Sequence, residues 1–108
     1  MRVVQVSAYR DYEGCQWSNL FSTPELAYSW LRSVNADTFA GVDVVDVSWV
    51  GVDVPDDTKL VSFDVKFTWG TDSEEDTVVF RRWDYEKNEY VEVDLENDCR
   101  YWRGNNNV

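Results

Sequence analysis

Apolar and polar residues alternate along most of this chain, and they follow a helical period in one place only. Residues 2–9 put Val4, Val6 and Ala8 on one side, with β-branched valines that favour extended backbone. A polar turn at 10–14, closed by Gly14, leads into a second strand at 15–21, with Trp17 and Asn19 on one face and Leu20 on the other. Residues 42–52 alternate again, but the phase breaks between Val44 and Val45, which is the sequence sign of a β-bulge. Residues 51–58 read as a turn around Pro55, Asp56 and Asp57. The clearest strand is 59–69, where Val61, Phe63, Val65, Phe67 and Trp69 alternate with Ser62, Asp64, Lys66 and Thr68. That pattern suits an antiparallel sheet wetted on one side. Residues 77–85 and 89–95 form a hairpin about Lys87 and Asn88, and residues 97–108 are a short tail.

The exception is 21–34. Leu26, Ala27, Trp30, Leu31 and Val34 form one apolar stripe at helical spacing, with Glu25, Tyr28, Ser29 and Arg32 off it. Ser22 or Thr23 suits the N-cap, since either hydroxyl can accept from a first-turn N–H that has no helical partner. Ser22 with Glu25 matches a capping box, and Phe21 with Leu26 matches a hydrophobic staple. Pro24 falls in the first turn, where its missing N–H does no harm. A helix this short is marginal alone, so it needs a sheet to cover. The expected fold is therefore α+β: one domain over residues 1–108, an antiparallel sheet with a single amphipathic helix packed on one face, in the order ββαββββ.

Register turns the hairpin into a surface. A tight turn at Lys87 and Asn88 sets Tyr85 opposite Tyr90, Trp83 opposite Glu92 and Arg81 opposite Asp94. With Val65 opposite Phe80, Asp64 falls beside Arg81, giving a ladder Asp64–Arg81–Asp94 on the wet face. Val78, Phe80, Val91, Val93 and Leu95 occupy the other face, and Arg82 lies there near the sheet end, with a stem long enough to snorkel.

Charge changes the picture most. The chain has 21 acidic and 10 basic residues, no His, and a net charge of −11. Eleven of the acids, against three bases, lie between Thr71 and Asp98. Such a domain repels nucleic acid and anionic membranes and steers toward basic partners. The N-terminus is too polar for a signal peptide and no apolar run could span a bilayer, so the expected location is cytoplasmic. Cys15 and Cys99 are too few and too far apart for a disulfide framework or a zinc site, and read as buried or inert free thiols.

The candidate site is a partner-binding surface made of Asp72, Glu74, Glu75, Asp76, Trp83, Tyr85, Tyr90, Glu92, Asp94 and Glu96. Trp and Tyr supply much of the energy at protein interfaces, although cross-strand packing alone also accounts for aromatic pairs on a sheet. Glu92, Asp94, Glu96 and Asp98 recur with period two, one carboxylate per ~6.8 Å of strand, which is about half as dense as the phosphates of one DNA strand. Such a row mimics DNA only with added charge from the 70–76 loop or a second copy; otherwise it is an edge strand kept from aggregating. The 72–76 loop lacks the spacing of a calcium loop, so no metal is expected. Arg81 and Arg82 read as structural ion pairs. Without His, a nucleophile elbow or a phosphate-binding loop, no enzyme chemistry and no cofactor are expected.

The short hairpin running into F-S-T-P-E-L-A and its amphipathic helix, together with the small size and acidity, resembles small accessory proteins of phage and mobile elements, including anti-CRISPR and DNA-mimic anti-restriction proteins. The resemblance implies a viral anti-defence inhibitor acting in the host cytoplasm. Its partner would be a basic host protein, a nuclease or nucleic-acid-binding complex, with no direct contact to nucleic acid or membrane. The alternatives are a ligand-binding module using exposed Trp and Tyr for sugars or small molecules, and a structural protein that forms a homodimer.

Overall fold

The computed structural model describes residues 2–51, 59–93 and Leu95. Six strands form one antiparallel sheet: β1 (Arg2–Arg10), β2 (Gly14–Phe21), β3 (Val44–Gly51), β4 (Lys59–Thr68), β5 (Thr77–Asp84) and β6 (Glu89–Glu92). Among the described residues, the α-helix α1 (Pro24–Ser33) and a 3₁₀ turn, Ala36–Phe39, lie between β2 and β3. The sheet order is β2-β1-β3-β4-β5-β6, and the α+β expectation holds. Because β1 is antiparallel to both β2 and β3, those two run parallel to each other with β1 between them. Parallel strands need a long crossover. Here α1 and the 3₁₀ turn provide it and so cover one face of the sheet.

That covered face is the core. Val4, Val6 and Ala8 of β1, Val45 and Val47 of β3, and Phe63 of β4 are fully buried against Ala27, Tyr28, Leu31 and Phe39. An aromatic seam ties the layers together. Trp17 meets Trp30 edge-on at 5.6 Å, and Phe39 meets Phe80 edge-on at 5.1 Å. The Trp17 Nε1–H donates to the Thr38 carbonyl at 3.2 Å, so its one polar atom is satisfied.

Several local expectations are corrected. The N-cap is Thr23, whose Oγ1 accepts from Leu26 N at 3.3 Å, with Pro24 at the helix start; the Ser22 capping box does not form. The buried side of α1 is Pro24, Ala27, Tyr28 and Leu31, while Leu26 is exposed. The large Tyr28 ring takes a core position, and Trp30, partly buried, packs beside Trp17 and Phe21 of β2. No bulge sits at Val44 and Val45. Val42 and Val45 are both buried, but Val42 precedes the strand, and β3 begins at Val44. The register irregularities are between Val47 and Ser48 against β4, and between Ala8 and Tyr9 against β2. Trp69 lies beyond β4 and is exposed, its ring 4.9 Å from that of Phe67. Cys15 is a free thiol, but exposed rather than buried. The turn expected at 51–58, the tail and Cys99 lie outside the described residues, except for Gly51, which ends β3.

Candidate functional site

Neighbouring antiparallel strands share faces residue by residue. Val65 pairs with Phe80 on the covered side, and Asp64 pairs with Arg81 on the open side, as the alternation requires. The next pairing differs from expectation. Arg81 faces Glu92, Trp83 faces Tyr90 and Asp84 faces Glu89, so Tyr85 belongs to the loop and not to a pair with Tyr90. The turn chemistry explains this two-residue shift. The Asp84 carboxylate accepts from Glu86 N at 2.9 Å and Lys87 N at 3.2 Å, the Asn88 N–H donates to the Asp84 carbonyl at 2.7 Å, and Asn88 adopts a left-handed φ of 58°. Asp and Asn both favour such turns. The Lys87 N–H bond, the Glu86 N–H bond and the nearby Arg82 and Lys87 charges hold the Asp84 carboxyl below its ordinary range; the Lys87 N–H has the largest effect, and desolvation, next in size, opposes it.

On the open side the side chains form a cluster. Trp83 and Tyr90 meet edge-on at 5.1 Å, and the Arg81 guanidinium lies 4.6 Å from the centre of the Tyr90 ring. Trp83 is 38% exposed, Tyr90 47% and Tyr85 86%, and α1 covers none of them. The Val93 N–H donates to the Phe80 carbonyl at 2.8 Å. That bond makes Arg81–Glu92 and Trp83–Tyr90 the closely spaced, non-hydrogen-bonded pairs of the ladder. Glu92 is exposed on the same face as the cluster and Glu86 is exposed in the adjoining loop, while Glu89, paired with Asp84, is exposed on the opposite side. The ladder expected from Asp64 through Arg81 to Asp94 is Asp64–Arg81–Glu92 in register, and Asp94 lies outside the described residues. Among the described residues no ion pair joins Arg81 to either carboxylate. Its Nε is buried without a hydrogen bond, and its charge rests on the Tyr90 ring. Arg82 is exposed opposite Val91.

The acidic loop is elsewhere. Successive turns of an antiparallel meander fall at opposite sheet ends, so the 69–76 loop and the 85–88 loop are separated by the length of β5, roughly 23 Å for seven residue steps. That separation was implicit in the alternation of strands and turns. Asp76 is half-buried, with its Oδ1 accepting from Gly70 N at 2.7 Å, so it holds the loop shut. A Cβ on Gly70 would collide with the backbone of Glu74 and Glu75, which is why the loop closes on a glycine. Asp72, Glu74 and Glu75 remain exposed. The ten candidate residues therefore do not form one patch. Trp83, Tyr85, Tyr90 and Glu92 share the hairpin, Asp72, Glu74 and Glu75 share the far loop, Asp76 is structural, and Asp94 and Glu96 are not among the described residues.

No three His, Cys, Asp or Glu side chains among the described residues converge as metal ligands, and no helix among them is long and apolar enough to cross a membrane. On the covered side a groove of about 690 Å³ runs beneath the end of α1, between Leu31, Val34, Val78, Phe80, Val93 and Leu95. Arg32, Val79 and Glu92 complete its lining, and its surface is more polar than apolar. What the hairpin offers chemically is therefore adhesion: exposed aromatic surface with the Glu92 carboxylate on the same face. Comparison with family models, curated proteins and solved structures finds no match to this chain, so its function is read from this surface alone.

Proposed function

We propose that this protein is a small acidic binding module whose β5–β6 hairpin engages a basic surface of a partner protein. The observation that carries the reading is the exposed Trp83–Tyr90 pair, with Glu92 on the same face that α1 leaves bare and with Tyr85 and Glu86 exposed in the adjoining loop. Aromatic anchors of this kind contribute strongly when buried at an interface, and a rim of one charge speeds encounter with the opposite charge. Arg81 positions the anchor by holding the Tyr90 ring from below. A groove that ordinarily holds nucleic acid is the kind of basic surface such a module would occlude, which makes inhibition of a nuclease or a nucleic-acid-binding complex, as in anti-CRISPR proteins, the specific form of the proposal.

Affinity capture from a bacterial lysate tests it, with wild type beside Trp83→Ala and Tyr90→Ala at low and high salt. A partner retained by wild type at about 50 mM salt should be lost at about 500 mM, where exposed charges are screened within a few ångströms. Either substitution should reduce capture at least roughly tenfold, the size of a truncated hot spot. Capture indifferent to both salt and substitution would overturn the proposal. Tryptophan fluorescence that moves on titration with simple sugars would favour a carbohydrate module instead.

A further inference from the structure

The two sheet edges differ in a way that the acidic hairpin does not explain. The β6 edge is four residues long and carries Glu89 and Glu92, the usual protection against stray pairing. The β2 edge is eight residues long and reads GCQWSNLF, with no charge and no proline in a chain of net charge −11. Its backbone groups can be oriented. The Val65 N–H donates to the Asp43 carbonyl, which sets Val44–Asp64 as a non-hydrogen-bonded pair. Stepping across β3 and β1 by the same alternation, Val4, Val6 and Ala8 bond to Phe21, Asn19 and Trp17. The N–H and C=O groups of Ser18 and Leu20 therefore point away from the sheet.

Leucine flanks this bare row on both sides. Leu20 is 63% exposed and Leu26 is 52% exposed, and they are the only aliphatic side chains among the large exposed hydrophobics of the described residues. Leu20 stands on the open face. Leu26 lies one turn before Trp30 on the same side of α1, the side whose Trp30 ring sits 5.6 Å from those of Trp17 and Phe21. Among the described residues no strand pairs with these backbone groups, and an edge strand of this kind, without charge and with apolar flanks, is built to accept another strand.

We propose that the strand it accepts is β2 of a second copy, paired antiparallel about a two-fold axis through Asn19. In that register Ser18 meets Leu20 of the second copy and the reverse, so both outward pairs exchange their bonds. Trp17 meets Phe21 of the second copy on the covered face. An isologous contact must be self-complementary, and the absence of charge along β2 removes the repulsion that two chains of the same sign would otherwise meet there. The product is a continuous twelve-stranded sheet whose two β6 edges lie roughly 50 Å apart, from eleven strand spacings. This interface is independent of the hairpin's proposed partner.

Sedimentation equilibrium from about 1 µM to about 500 µM tests it, because association of this kind follows mass action. Wild type should pass from monomer to dimer across that range. Its dissociation constant should fall as salt rises, since screening weakens repulsion between the two acidic bodies; salt has the opposite effect on binding to a basic partner. Ser18→Pro removes an outward N–H at an edge position where proline is tolerated, and Leu20→Lys adds a charge to an exposed side chain. Each should weaken dimerisation at least tenfold with unchanged far-ultraviolet circular dichroism. If the proline variant unfolds, the lysine variant still decides the matter. A wild type that stays monomeric throughout, or a dimer that the lysine variant leaves intact, would overturn the proposal without touching the hairpin reading.

Discussion

The Asp84 carboxylate accepts two backbone N–H groups of the 85–88 loop and feels Arg82 and Lys87 nearby, and its proton is held less tightly than in an ordinary aspartate. The sign of the linkage follows. A depressed carboxyl contributes stability that is complete above its unfolded value and is lost as pH falls through the lower folded value. Asp84→Asn keeps an acceptor oxygen but loses the charge. Wild type should therefore exceed the asparagine variant in melting temperature at neutral pH, and the gap should close in acid below the ordinary aspartate range; thermal unfolding of both proteins from roughly pH 7 to roughly pH 2 measures it. The same residue sets the geometry of the candidate site. Because Asp84 and Asn88 together close the loop one residue earlier at each end than a turn centred on Lys87 and Asn88 would, Trp83 meets Tyr90 and Tyr85 is free to project.

At the scale of elements, the faces of the strands were legible and their offsets were not. Period-two alternation assigned Val4, Val6, Ala8, Phe63, Val65 and Phe80 to one side correctly. A slip of two residues between β5 and β6 leaves every side chain on the same face, so hydropathy cannot detect it; only the turn chemistry of Asp84 and Asn88 could. The helix shows the same limit. Its existence follows from spacing, but Ser22 and Thr23 compete as caps. Rolling α1 by a fraction of a turn exchanges Leu26 for Tyr28, which counted as off-stripe although its ring brings more area to the core than leucine does. The choice of cap has a consequence. Thr23→Ala should cost about 1 kcal/mol, the usual worth of a threonine cap, while Ser22→Ala should cost almost nothing; urea unfolding of the two variants separates them.

For the whole molecule, sheet order decides what the local patterns could not. Placing the acidic loop and the aromatic hairpin at opposite ends of β5 divides a site that looked continuous along the chain, and placing β2 at an edge exposes a row that local hydropathy reads as an ordinary strand. The position of β1 carries a consequence of another kind, for the order in which the molecule assembles. Val4, Val6 and Ala8 leave the ribosome ahead of β3, yet β1 is completed on its second side only by β3, which begins at Val44. Until then the nascent hairpin and α1 hold half a core, with the long-range pairing that makes folding slow still to come. A fragment ending at Gly41 should therefore show little ordered structure by circular dichroism and should bind a hydrophobic dye, and a longer fragment ending at Trp69 should gain structure. A well-folded 41-residue fragment would show that the N-terminal third is a nucleus in its own right, and that translation can hand the chain over to β3 without help.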